Sequence, residues 1–167
     1  MARSDSFFLR ATVPTDTTAF NQVQIDLGSV VNVLAKDILR IHNIQVEYGQ
    51  PAENIQNLAV DSQTELSFQL TTQSQGDLVP LSNRSVVSSG QLKVSTGPQT
   101  ADVPIVYSDT MNASIQEWTN GYLIAVESLY LGCKQGADIL SQVSIILECT
   151  SETMSQAAAM ALSLSQQ

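Results

Sequence analysis

The sequence predicts an all-β fold, a two-sheet antiparallel sandwich followed by a short C-terminal helix. Three observations carry this. Between Ser6 and Cys149 about eight short runs of β-forming residues are separated by polar punctuation. Several of those runs alternate apolar and polar residues with a period of two. After Cys149 the period changes to that of an Ala-rich helix, about residues 153–164. With 167 residues and 43% of them apolar, the chain is expected to form one domain over its whole length, 1–167. A domain of that size buries roughly two thirds of the surface its unfolded chain exposes, so it needs no disulfide or metal staple.

The first strand is expected at Ser6–Val13, stopped by Pro14 and the polar cluster Thr15–Thr18. Gln22–Leu27 alternates strictly, with Val23, Ile25 and Leu27 on one face, and Gly28 ends it. Ser29–Lys36 suits either a helical turn or an ordered loop. In Asp37–Tyr48, Leu39 and Ile41 share one parity while Ile44, Val46 and Tyr48 share the other. An extra residue resets side-chain alternation, so a β-bulge is expected at His42-Asn43. Gly49-Gln-Pro51 turns the chain, and Glu53–Gln63 reads as a loop or short helical turn.

Thr64–Thr71 alternates through Leu66, Phe68 and Leu70, and a long polar stretch with Ser-rich 82–89 follows. Leu92 and Val94 mark a short strand. Val103, Ile105 and Tyr107 mark another, which Pro104 assigns to a sheet edge because proline cannot donate to a ladder. Asp109–Asn120, with Trp118, reads as a loop or short helix. Gly121–Leu131 carries apolar residues on both parities and is expected as one central strand covered on both faces. Gly132–Leu140 turns back into a last strand at Gln142–Cys149. Thr153-Met-Ser-Gln156 resembles a capping box at the head of the helix. Eight strands joined by long connections most simply make a single jelly roll, with an immunoglobulin-like sandwich as the nearest rival.

Catalytic chemistry is not expected. The single histidine, His42, has no local acid partner in sequence. The carboxylates are dispersed, and the glycines form no phosphate loop. No metal or other cofactor is expected. Cys133 and Cys149 read as two reduced thiols, Cys149 in phase with the core positions of its strand. The seven basic residues, Arg3, Arg10, Lys36, Arg40, Arg84, Lys93 and Lys134, are scattered in a chain of net charge −9, which argues against sequence-specific nucleic-acid binding. Residues 1–8 lack the apolar core of a secretory signal, and no stretch is apolar enough to span a membrane. The sequons at Asn83 and Asn112 therefore read as chance matches.

The stretch Lys36-Asp-Ile-Leu-Arg-Ile-His-Asn-Ile-Gln-Val46, the run Tyr122–Leu131, and Val143–Cys149 followed by a small-residue helix resemble the small single jelly-roll capsid proteins of tailless icosahedral viruses. The resemblance implies a coat subunit of the virion that self-assembles through sheet edges, loops and termini, with copies of itself and other capsid proteins as partners. The chain departs from that pattern at its amino terminus, which lacks a basic genome-binding arm. This suits a shell whose genome is held by other proteins or by an internal membrane. The expected contacts are Phe7 and Phe8 in the N-terminal segment, Pro104 on the edge strand, and Met154, Ala158, Met160 and Leu164 on the helix. The alternative is a cell-surface or extracellular carbohydrate-binding or adhesion module, with Trp118 and Tyr122 as a sugar platform.

Overall fold

The computed structural model describes residues 4–15, 18–55, 61–97, 106–111 and 115–167. Nine strands and one helix follow in order: β1 Phe7–Pro14, β2 Asn21–Asp26, β3 Asp37–Tyr48, β4 Gln63–Thr71, β5 Val86–Thr96, β6 Val106–Met111, β7 Ile115–Ile124, β8 Ser128–Gln135, β9 Gln142–Thr153 and α1 Gln156–Ser165. They form a four-stranded sheet, β1-β9-β3-β7, and a five-stranded sheet, β2-β8-β4-β5-β6.

The pairings identify the wrap. With β6 set aside, the first strand pairs with the last (β1 with β9), the second with the second-last (β2 with β8), then β3 with β7 and β4 with β5, all antiparallel. This is one long hairpin rolled up so that successive strand pairs fall in opposite sheets. It is a jelly roll, as expected from the sequence. Eight strands make that wrap, as expected, and β6 lies outside it as an antiparallel partner of β5; the described residues thus hold nine strands, one more than the runs read in the sequence, because Gly121–Leu131 divides in two. β6 occupies the edge of its sheet; Pro104, which suggested an edge there, lies outside the described residues.

Other sequence expectations are corrected as well. Gly121–Leu131 is two strands in opposite sheets, since β7 ends at Ile124 and β8 begins at Ser128. Tyr122 and Ile124 point into the sandwich from one sheet, and Leu129 and Leu131 from the other. The three residues between them, Ala125–Glu127, switch the inward parity. Residues 115–120 belong to β7 and are neither loop nor helix. β5 begins at Val86, inside the serine-rich stretch, and β9 runs four residues beyond Cys149 to Thr153. Thr153 is therefore a strand residue. The helix cap is Ser155, whose extended backbone lets its side chain accept from the Ala158 N–H.

The bulge in β3 stands where alternation slips. Register shifts between Ile41 and Asn43 against both neighbours: against β9 His42 is the extra residue, and against β7 the four residues 118–121 stand opposite it. The core is built from the inward parity of every central strand, with Leu39, Ile41, Ile44 and Val46 of β3 facing Leu66, Phe68 and Leu70 of β4 across the interior. Tyr48 meets Phe68 edge-on at 6.1 Å between ring centroids. Cys133 and Cys149 are both buried, and the Cys133 thiol donates to the Pro14 carbonyl.

Part of the outer side of the five-stranded sheet is covered by its own chain, while Gln24, Glu65 and Lys93 on that side remain exposed. Gln22 of β2 accepts from Ser74 Oγ and the Gln75 N–H. Gln69 of β4 exchanges two hydrogen bonds with the Val79 backbone, and Lys134 of β8 pairs with Asp77 at 2.7 Å. These tie residues 74–79 of the β4–β5 connection to three strands. Phe20 lies on Gly132, where a Cβ would come within 2.6 Å of its ring.

Candidate assembly surface

The outer side of the four-stranded sheet is only partly covered. Alternation places Phe8, Arg10 and Thr12 of β1 outward, opposite Glu148, Ile146 and Ser144 of β9, which in turn sit opposite Asn43, Gln45 and Glu47 of β3. Arg10, Thr12, Gln45, Glu47, Ser144 and Ile146 line a concavity of about 480 Å³ across these strands. The Arg10 guanidinium lies 5.9 Å from the centre of the Phe8 ring.

Helix α1 covers the other end of this side. Ile38 of β3 and Ala125, just past β7, are fully buried with Ala159 of the helix, and Val33, Leu123, Met154 and Leu162 pack around them. Beside this apolar patch, Glu152 accepts from Arg40 Nε at 2.6 Å and Nη2 at 2.8 Å, with the Glu152 side chain 1% exposed and Arg40 12%. The hydrogen bond that Arg40 gives Glu152 raises the Arg40 pKa further, against the lowering effect of burial. Arg40 also donates to the Asn120 carbonyl, in the bulged part of β7.

The helix ends in a clamp. The buried Gln166 side chain accepts from the Ala125 N–H at 2.9 Å and donates to the Leu123 carbonyl at 2.6 Å, while its own carbonyl accepts from Thr72 Oγ1. Because β7 is the edge of its sheet, this amide pairs with the edge as a single residue of a neighbouring strand would. Gln166→Ala leaves a buried N–H and C=O without partners, at about 1–3 kcal/mol for each group left unsatisfied. Hydrogen exchange should show the expected outcome as faster exchange at α1 and Ala125, with the β3–β9 ladder unchanged.

The expected contact residues divide. Phe7 turns inward against the core, and Met154 and Ala158 are half-buried on the sheet side of the helix. Phe8 (54% exposed), Met160 (47%) and Leu164 (70%) face solvent. Leu34 (78%) and Leu81 (71%) are also exposed, both between strands, and sequence reasoning singled out neither as a contact. His42 Nε2 lies 3.0 Å from Thr150 Oγ1, a contact that holds the bulge to β9. Burial, then the nearby Glu148 charge, push the Cys149 thiol up to about 12, so it is a poor nucleophile. Trp118 and Tyr122 pack against each other at 5.6 Å and against the core, both half-buried, so their rings form no open platform. Among the described residues, no group of His, Cys, Asp and Glu could hold a metal ion, and no helix is long and apolar enough to cross a membrane.

No family model matches the chain, and no curated protein matches it. Solved structures similar to it include the VP1 pentamer of KI polyomavirus, at 9% identity and a TM-score of 0.47 over 89% of this chain and 95% of that one. The VP1 pentamer of Merkel cell polyomavirus is similar at 6% identity and a TM-score of 0.42 over 87% and 94%. The structure of Tomato aspermy virus is similar at 13% identity and a TM-score of 0.39 over 89% and 79%. The jelly roll itself rests on the strand pairings above.

Proposed function

We propose that this chain is a structural subunit of an icosahedral viral shell, acting by association with copies of itself and with other capsid proteins and catalysing no reaction. The observation that carries this reading is the outer side of the four-stranded sheet. There a jelly roll whose opposite sheet is partly covered by its own loop leaves Phe8, Met160 and Leu164 in water. Large apolar side chains held outward by strand alternation and helix phase support contact with neighbouring subunits. The jelly-roll wrap and the resemblance of 36–46 and 143–149 to small capsid proteins support it too, although a fold alone does not define a function. The place of action under this reading is the virion. The scarcity of basic residues suits a shell that leaves sequence-specific genome contacts to other components.

Light scattering of the purified chain over a rising concentration series tests the reading. Assemblies far larger than the 18.0 kDa chain are expected. A monomer that persists at the highest concentration would overturn it and favour an isolated binding module.

A further inference from the structure

Helix α1 is apolar on two sides, and only one of them is used within the chain. Ala159, Leu162 and the half-buried Ala158 face the sheet. Ala157, Met160, Ala161 and Leu164 are all exposed, and their spacing of i, i+3, i+4 and i+7 makes a continuous stripe on the opposite side. Helices anchor in a partner through that spacing.

We propose that this stripe packs against α1 of a second copy, with the two helices antiparallel across a two-fold axis. The inference rests on the coat-subunit reading and gives it a specific contact. Two features point to a second copy. The first is charge. The chain carries a net charge of −9, yet residues 154–167 contain no Asp, Glu, Lys, Arg or His. Two copies repel wherever their acidic surfaces meet, and this element lets them approach without juxtaposing charges. The second is size. In an antiparallel pair centred between Met160 and Ala161, Leu164 of one copy stands opposite Ala157 of the other, and Met160 opposite Ala161. Each large side chain therefore meets a small one, and the same patch serves both copies, as a two-fold contact requires. A parallel pair would set Met160 on Met160 and Ala157 on Ala157, leaving crowding beside a gap.

A stripe of four side chains is far smaller than the ~1,200–2,000 Å² of a stable two-body interface. The pair is therefore one contact among several in a lattice, and brief in dilute solution. Cysteine trapping suits such a contact. Positions 157 and 164 are exposed and the native Cys133 and Cys149 are buried, so the native thiols do not compete. In the full chain under assembling conditions, A157C mixed with L164C is expected to give disulfide-linked pairs under mild oxidation, whereas either variant alone gives few. Met160→Glu is expected to weaken association on the order of tenfold or more while leaving the thermal midpoint of the monomer unchanged. Pairs formed as readily by L164C alone, no pairs from the mixture, or unaltered association of Met160→Glu would overturn the proposal. Trapped pairs without shells would sustain the helix contact and remove the coat reading, and shells that tolerate Met160→Glu and give no trapped pairs would do the reverse.

Discussion

Glu152→Ala is expected to lower the stability of the fold by about 3–5 kcal/mol, measured as a shift in urea midpoint at constant slope. The reason is what it leaves behind. Arg40 is 12% exposed beneath the helix-covered end of the sheet and gives Glu152 two hydrogen bonds, so losing the carboxylate strands a buried guanidinium. A typical domain holds only ~5–15 kcal/mol in total, so the variant should unfold at much lower denaturant or lose α1 as the site opens to water. Arg40→Met with Glu152→Leu should recover most of the loss, because burial of the pair costs each ion its hydration. A loss below about 1 kcal/mol for Glu152→Ala would show that the pair is solvated, as surface pairs are.

Gly121→Val is expected to cost about 3 kcal/mol, and the cost should overlap with that of Glu152→Ala. Gly121 has φ +69°, a left-handed backbone that costs a residue bearing a Cβ about 1–2 kcal/mol. The space is also taken. A Cβ there would lie 2.6 Å from Arg40 Cγ, 2.9 Å from its Cδ and 3.0 Å from the Ile41 carbonyl oxygen. The Arg40 stem must move, which pulls its head from Glu152 and from the Asn120 carbonyl. A double-mutant cycle with Glu152→Ala should therefore fall short of additivity by about 1 kcal/mol or more. Full additivity would mean that Gly121 and the ion pair act independently.

Both predictions concern a region that was half legible in the sequence. The β3 bulge could be read because its alternation slips between Ile41 and Ile44, and a slip in parity means one thing in a strand. Gly121–Leu131 could not be read in the same way. Apolar residues on both parities describe a strand buried on two faces and equally describe two strands in opposite sheets joined by a three-residue crossing. The polar residues of 115–120 concealed the first half of β7, because inward positions such as Gln116 bind Ser88 and the Ser89 carbonyl on the other sheet and need no apolar side chain.

The contact surface was legible to a similar degree. Period two assigns Phe7 and Phe8 to opposite faces, but only the position of β1 in its sheet shows which of them is free. The helix pattern holds two apolar stripes, and sequence alone could not say that Ala159 and Leu162 meet the sheet while Met160 and Leu164 remain outside. Gln166 carried no signal at all. A glutamine among Ser and Gln reads as a solvated tail, and its role arises from a strand edge about 40 residues earlier.

The central claim is that this jelly roll works by association, through the side of the sandwich that carries Phe8, Met160 and Leu164. Negative-stain imaging of the purified full chain under assembling conditions tests it most directly. Closed, icosahedral shells of uniform diameter are the predicted result. Fields of separate 18.0 kDa particles at high protein concentration would contradict it.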